Sequence, residues 1–155
     1  MTKEELIKFA NEIPNNAEIK YDDNEDTYSF SEYDSNGKVT HYKDSDGNEK
    51  LCEFDNNGNI TYFRNPNGYE EWKDYDNNGN LIHYKDSDGD ESWREYNNNN
   101  NLIYCKNSNG YEKWYDDNGK VVHCKNSDGD ESWVEYDDNG NVVHYKTSDG
   151  KEEWY

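Results

Sequence analysis

The chain has 155 residues and a formal net charge of −20, and it is only 30% hydrophobic although 15% of its residues are aromatic. Such a charge opposes nucleic acid and anionic membrane and favours basic proteins and cations. The aromatic content excludes a disordered acidic chain, and no apolar run approaches the roughly 18 residues of a membrane-spanning helix.

The first residues read as a helix. Thr2 and Glu5 form a capping box, Leu6, Phe9, Ala10 and Ile13 make an apolar stripe at helical spacing, and Pro14 ends it. A capping helix is therefore expected over residues 1–16. The segment lacks a basic stretch followed by an apolar one, so no signal peptide is expected. Cys52, Cys105 and Cys124 are odd in number and widely spaced, which predicts free thiols in a reducing, cytoplasmic setting.

From residue 17 onward the chain repeats itself. The stretch IHYKDSDGDESWREY at 82–96 returns as VHCKNSDGDESWVEY at 122–136. Trp falls at 72, 93, 114, 133 and 154, a spacing of 21 residues with one step of 19. Glycines alternate between a Tyr-Asp-x-Asn-Gly context and a Ser-Asp-Gly-like one. The runs between them are strand-length, and Asn-Gly and Asp-Gly supply the positive φ that hairpin turns need. The expected fold is all-β: an elongated, twisted, single-sheet antiparallel meander of two-strand repeats near 17–33, 34–54, 55–75, 76–96, 97–115, 116–136 and 137–155, forming one array over 17–155. The first repeat is worn but keeps Ile19, Tyr21 and Phe30 in register. Twelve to fourteen strands at roughly 4.8 Å each give a sheet of about 60 Å that twists and curls.

The register follows from the turns. A two-residue turn at Asp88-Gly89 pairs Ser87 with Asp90, and a three-residue loop at 77–79 pairs Asp76 with Asn80. Trp72, Tyr84 and Trp93 then share one row and Tyr75, Leu81 and Tyr96 another, on opposite faces, with rows that stay aligned along the chain. These rows are read as the sheet's own core rather than as a ligand platform. The short repeat lacks two residues before Tyr115, a deletion that keeps side chains on their faces. Asn100 stands where a glycine is expected and tolerates positive φ. The C-terminal strand leaves an edge open to self-association.

Catalytic and metal signals are weak. Asp86, Asp88, Asp90 and Glu91 resemble a calcium loop, but its glycine comes too early and the loop is too short to wrap an ion. His41, His83, His123 and His144 share a repeat position two strand spacings apart, too far to share one zinc, and in this register they face Lys, Arg or Val. Cys105 and Cys124 replace a tyrosine and read as fillers, too distant for a disulfide. The acids recur evenly instead of being singled out. The chain therefore reads as a non-enzyme without cofactor or metal.

The unit YDNNGNLIHYKDSDGDESWREY resembles the tyrosine- and glycine-rich repeats of bacterial MORN-type proteins, in particular the variant repeats of the YwqK-like antitoxin family, over residues 33–155. The resemblance implies a curved β-meander acting as an immunity protein. A basic partner, such as a nuclease toxin, would meet the acidic surface through electrostatic steering. Three other readings stand beside this one: a nucleic-acid mimic that inhibits a CRISPR or other defence nuclease, a structural scaffold, and a cation-binding surface. The residues expected to meet the partner are the turn acids Asp44, Asp46, Asp86, Asp88, Asp90, Asp128, Asp130, Asp137 and Asp138, with Tyr69 and Tyr111 as aromatic anchors. No contact with nucleic acid or membrane is expected.

Overall fold

Each turn from the second strand onward is organised by one Asp, Asn or Thr at its first position. In the loop of residues 86–90, Asp86 N donates to Asp90 O at 2.9 Å and Gly89 N donates to Asp86 O at 3.3 Å. The Asp86 carboxylate Oδ1 accepts the backbone N–H groups of Asp88 and Asp90 at 3.0 and 2.9 Å. The same backbone pair closes the loop at 76–80, where Asp76 Oδ1 accepts from Asn78 and Asn80. Gly79 and Gly89 sit at φ of 84° and 95°, a region open to glycine without a Cβ clash. Asn100 takes this place at φ 62°, as its residue type allows.

The computed structural model describes residues 14–22 and 27–155; the helix expected before Pro14 lies outside them. The strands are β1 (Ala17–Asp22), β2 (Thr27–Tyr33), β3 (Val39–Asp44), β4 (Glu49–Phe54), β5 (Ile60–Arg64), β6 (Glu70–Tyr75), β7 (Leu81–Asp86), β8 (Glu91–Tyr96), β9 (Leu102–Asn107), β10 (Glu112–Tyr115), β11 (Val121–Lys125), β12 (Glu131–Tyr136), β13 (Val142–Thr147) and β14 (Glu152–Trp154). They follow one another in sequence order in one open antiparallel sheet of fourteen strands. The chain divides into two units, Met1–Trp72 and Lys73–Tyr155.

The expected two-residue turn at Asp88-Gly89 is absent. Both glycine contexts build the same five-residue loop, because an Asx side chain at its first position has two N–H groups to satisfy in either case. The register of the β7–β8 hairpin therefore shifts by one residue. His83 lies opposite Trp93, and Tyr84 lies opposite Ser92. A one-residue shift exchanges faces, so Tyr84 leaves the tryptophan row and the histidine enters it.

A second departure is a bulge after loops of the other kind. In β8–β9, Glu95 pairs with Tyr104 and Tyr96 with Leu102, leaving Ile103 as the extra residue. Equivalent bulges interrupt β2–β3, β4–β5, β10–β11 and β12–β13. Together, the two hairpin registers shear the rows. Trp93 lies across from Lys106, and Lys106 from Glu112, so Trp114 sits two residues further along its strand. The rows thus do not run straight, as the sequence suggested. The short repeat cancels this shear. Its missing pair of residues places Trp114 opposite His123, and His123 opposite Trp133.

The rows are not a closed core. Among the described residues Phe30 is the one buried hydrophobic side chain, and Trp72, Trp93 and Trp133 each keep more than a third of their surface in water. A single layer of sheet has no second layer to cover either face. Its stability comes from cross-strand pairs of about 0.2–1 kcal/mol each and from bonds between successive turns. Lys120 Nζ donates to Gly140 O at 2.7 Å while lying 4.7 Å from the centre of the Tyr136 ring. At the opposite strand ends, the N–H groups of Ser108 and Ser148 donate to the carbonyls of Glu91 and Glu131.

Asp86 is buried, whereas Asn fills the same role at positions 65, 97, 107 and 126. Urea unfolding should therefore show Asp86→Asn within about 1 kcal/mol of the parent and Asp86→Ala destabilised by about 2–3 kcal/mol, since alanine strands two backbone donors. Equal losses in the two variants would contradict the assignment.

Candidate functional site

The corrected register gathers a recurring set of side chains on one face of the sheet. His83 stacks on Trp93 with ring centres 5.5 Å apart and planes 16° from parallel. His144 stacks on Trp154 at 3.8 Å and 10°. Tyr62 and Tyr104 take the histidine place against Trp72 and Trp114, at 5.7 and 5.1 Å. A glutamate eight residues after each of these rings closes the set. His41, His83, His123 and His144 meet Glu49, Glu91, Glu131 and Glu152 through Nε2 at 2.8–2.9 Å. Tyr62 and Tyr104 donate their hydroxyls to Glu70 and Glu112 at 2.7 Å.

A second carboxylate reaches Nδ1 of three of the imidazoles. It comes from Glu32 at His41, Asp74 at His83 and Glu135 at His144, at 3.0–3.3 Å. Carboxylates only accept, so His83 and His144, each bonded at both nitrogens, are best served by the doubly protonated ring. Burial pulls His83 and His144 down, but these carboxylates outweigh it and hold both above the ordinary value of 6.5. His123 lacks the second carboxylate, because the short repeat places Trp114 across from it where His41 and His144 face Glu32 and Glu135.

The short repeat also makes the longest run of rings. Tyr104, Trp114, His123 and Trp133 follow one another across four strands at 5.1, 4.1 and 4.9 Å, the last two contacts stacked within 15°. Glu112 and Glu131 flank this run. Burial, and then the bond to Glu112, pushes the Tyr104 hydroxyl up to about 12, so it stays a neutral donor. The result is a strip of rings packed on one another, half-buried apart from the exposed Trp133, and edged by carboxylates.

The turn acids fall into two kinds. Asp44, Asp86 and Asp137 hold their own loops, each accepting two backbone N–H groups. Asp46, Asp88, Asp90, Asp128, Asp130 and Asp138 are exposed at the loops. Asp137 and Asp138 belong to the loops at the opposite strand ends from the Ser-Asp-Gly loops of the other seven, so the predicted set is divided between two rims. Tyr69 bonds Glu71 at 3.3 Å, while Tyr111 is 49% exposed. The sequence reading missed the histidine–tryptophan–glutamate set. The constant offset of eight residues from ring to glutamate was visible, but it has no meaning until the loop length is known. No group of three or more His, Cys, Asp or Glu among the described residues is placed to hold a metal ion, and no helix among them is long and apolar enough to cross a membrane.

No family model matches the chain, and no curated protein matches it. Among solved structures it is similar to part of the crystal structure of TcdB2-TccC3-Cdc42, with 17% identity, a TM-score of 0.47, and coverage of 77% of this chain and 7% of that one. It is also similar to part of the Photorhabdus luminescens Tc holotoxin pore carrying TccC3-D651A, with 14% identity, a TM-score of 0.42, and coverage of 78% and 9%. The chain spans less than a tenth of the length of either.

Two sets of ionisable groups define a pH window. Hydrogen bonds from Asn48, Asn59, Asn80 and Asn141 hold Asp44, Asp55, Asp76 and Asp137 below the ordinary 3.8. Their contribution is present above 3.8 and is lost as pH falls through the lowered values. The raised imidazoles contribute fully below 6.5 and lose that contribution as pH rises through their folded values. The melting temperature should therefore peak between these limits and decline on both sides. Replacing His83 and His144 by glutamine should flatten the alkaline decline and leave the acid one. An alkaline decline unchanged in that variant would contradict the clamp.

Proposed function

We propose that this chain is a protein-binding repeat module that engages a basic partner through its strip of indoles and carboxylates. The observation that carries this reading is the run Tyr104–Trp114–His123–Trp133, with Glu112 and Glu131 beside it. A lysine or arginine side chain laid on an indole gains a cation–π contact of about 0.5–2 kcal/mol, and the adjacent carboxylate neutralises its charge. Repetition supplies further indole–carboxylate sets at Trp72, Trp93 and Trp154.

The net charge of −20 speeds encounter with such a partner and repels acidic competitors. The resemblance of the unit to antitoxin repeats leads to a finer reading of the same site. In that reading the module is an immunity-type inhibitor that covers the basic cleft of a toxin, with a nuclease as the expected class. The turn acids would add long-range attraction from both rims. The indole strip, placed centrally on its strands, would carry the short-range contacts.

A peptide rich in arginine and lysine, titrated into the whole protein and followed by tryptophan fluorescence, tests the reading. Saturable binding is expected at low salt, weakening as salt shortens the Debye length to about 8 Å or less. Replacing Trp114 and Trp133 by leucine should weaken it about tenfold, the equivalent of roughly 1.4 kcal/mol. No binding at low salt would overturn the proposal. Binding unaffected by the tryptophan changes would move the site to the turn acids.

A further inference from the structure

The opposite face of the sheet carries a feature of the other sign. Arg94 lies opposite Cys105, Cys105 opposite Lys113, and Lys113 opposite Cys124, in one straight row across four strands. A concavity of about 420 Å³ opens over this row, its lining including Ser92, Arg94, Cys105, Tyr111, Lys113 and Tyr115. No carboxylate is among its lining residues, in a chain whose acids outnumber its lysines and arginines 36 to 16.

The sequence makes this place different from its equivalents. Tyr84 and Tyr145 stand where Cys105 stands, each opposite the Ser92 or Val134 of its own hairpin. A thiol in place of a tyrosine ring leaves room above the backbone. The short repeat brings Tyr115 over this space, its hydroxyl 3.5 Å from Cys105 Sγ. Burial, followed by the bond to Cys105, pushes that hydroxyl up to about 12. The phenol therefore stays protonated and able to donate.

One donor in this neighbourhood is unspent. Nη1 of Arg94 is buried and has no hydrogen-bond partner. A buried guanidinium nitrogen without an acceptor is costly to leave so; Arg94 as a whole is only half-buried, so an acceptor oxygen meets that need by a small shift of the guanidinium towards the concavity. Arginine presents paired donors matched to a phosphate or carboxylate. Lys113 lies two strands away and adds a second positive charge, and Tyr115 and Ser92 add neutral hydroxyl donors.

We propose that this concavity is a binding site for a small oxyanion of the phosphate class, held by Arg94 and Lys113 and bounded by Tyr111 and Tyr115. The two cations match a dianion better than a single carboxylate. The chain's overall negative charge does not prevent entry at about 0.15 M salt, where charges more than roughly 8 Å away are largely screened. Cys105 contributes space by being small. The site is independent of the indole strip, since it lies on the other face of the same strands.

The test is a titration of the whole protein with inorganic phosphate at constant ionic strength, with chloride as the control, followed by backbone and arginine side-chain NMR signals. The expected result is a saturable shift at Arg94, Cys105 and Lys113, with a dissociation constant of roughly 1–10 mM, absent with chloride. Arg94→Gln should abolish it. Cys105→Tyr restores the residue of other repeats, should keep the amide spectrum of the remaining strands, and should abolish the shift by filling the space. Absence of a saturable shift at about 50 mM phosphate, well above that range, would overturn the proposal. So would a shift that persists in both variants or appears equally with chloride. Because the indole strip takes no part, loss of basic-peptide binding would leave this result unchanged, and the reverse also holds.

Discussion

The structure depends on one local constraint, the capture of two backbone N–H groups by the side-chain oxygen of the Asp or Asn that opens a loop. Asp86 meets the N–H groups of Asp88 and Asp90, and Asn97, Asn107 and Asn126 do the same in their own loops. That capture fixes a five-residue loop with a positive-φ residue at its fourth place. The loop fixes the register, and the register decides which face each side chain occupies. Had Asp88-Gly89 closed a two-residue turn, Tyr84 would have faced Trp93 and the imidazole would have pointed away. The chemistry of both faces is thus set by a side chain at the end of the strand.

A sheet of one layer must solve the problem of its aromatic surface without a core. The solution here is pairing within the layer. Trp72, Trp93, Trp133 and Trp154 each pack on one cross-strand ring, Trp114 lies between two, and each ring partner is tied down by a glutamate. Such a set is half-satisfied by design: rigid enough to hold its geometry, yet still wet. The shear of two residues per repeat keeps successive sets separate, so Trp93 looks across to Lys106 rather than to another ring. Where the short repeat removes two residues, the shear vanishes and the sets fuse into the four-ring run from Tyr104 to Trp133. The same deletion pulls Tyr115 over Cys105 on the other face. One change in repeat length therefore produces the four-ring run on one side and a recess lined without carboxylates on the other.

Much of the fold was legible. Period, strand length and glycine placement gave an antiparallel meander of hairpins, and Asn100 was recognised as a glycine substitute because its position in the period allowed nothing else. The harmlessness of the two-residue deletion was also readable, because faces alternate with period two. What was not legible was the length of the Ser-Asp-Gly loop. Asp-Gly fits both two-residue and five-residue loops, and the choice between them turns on a side-chain hydrogen bond that the sequence does not display. From that ambiguity, and from the bulges that follow the other loops, the histidines were assigned the wrong neighbours on both sides. The turn acids were read as a surface for a partner, whereas Asp44, Asp86 and Asp137 are engaged with their own backbone. The unpartnered Arg94 nitrogen could not have been found without knowing that Cys105 and Tyr115 stand beside it.

The central claim is the register that places each histidine between an indole and a carboxylate, and it can be tested by proton NMR on the intact protein. The account predicts strong upfield ring-current shifts for the ring protons of His123, which lies between Trp114 and Trp133 at 4.1 and 4.9 Å. It also predicts through-space contacts from His83 to Trp93, with none from Tyr84 to Trp93. Contacts between Tyr84 and Trp93, with His123 at the shifts of a free imidazole, would mean that the loops close on two residues and that the indole face described here does not exist.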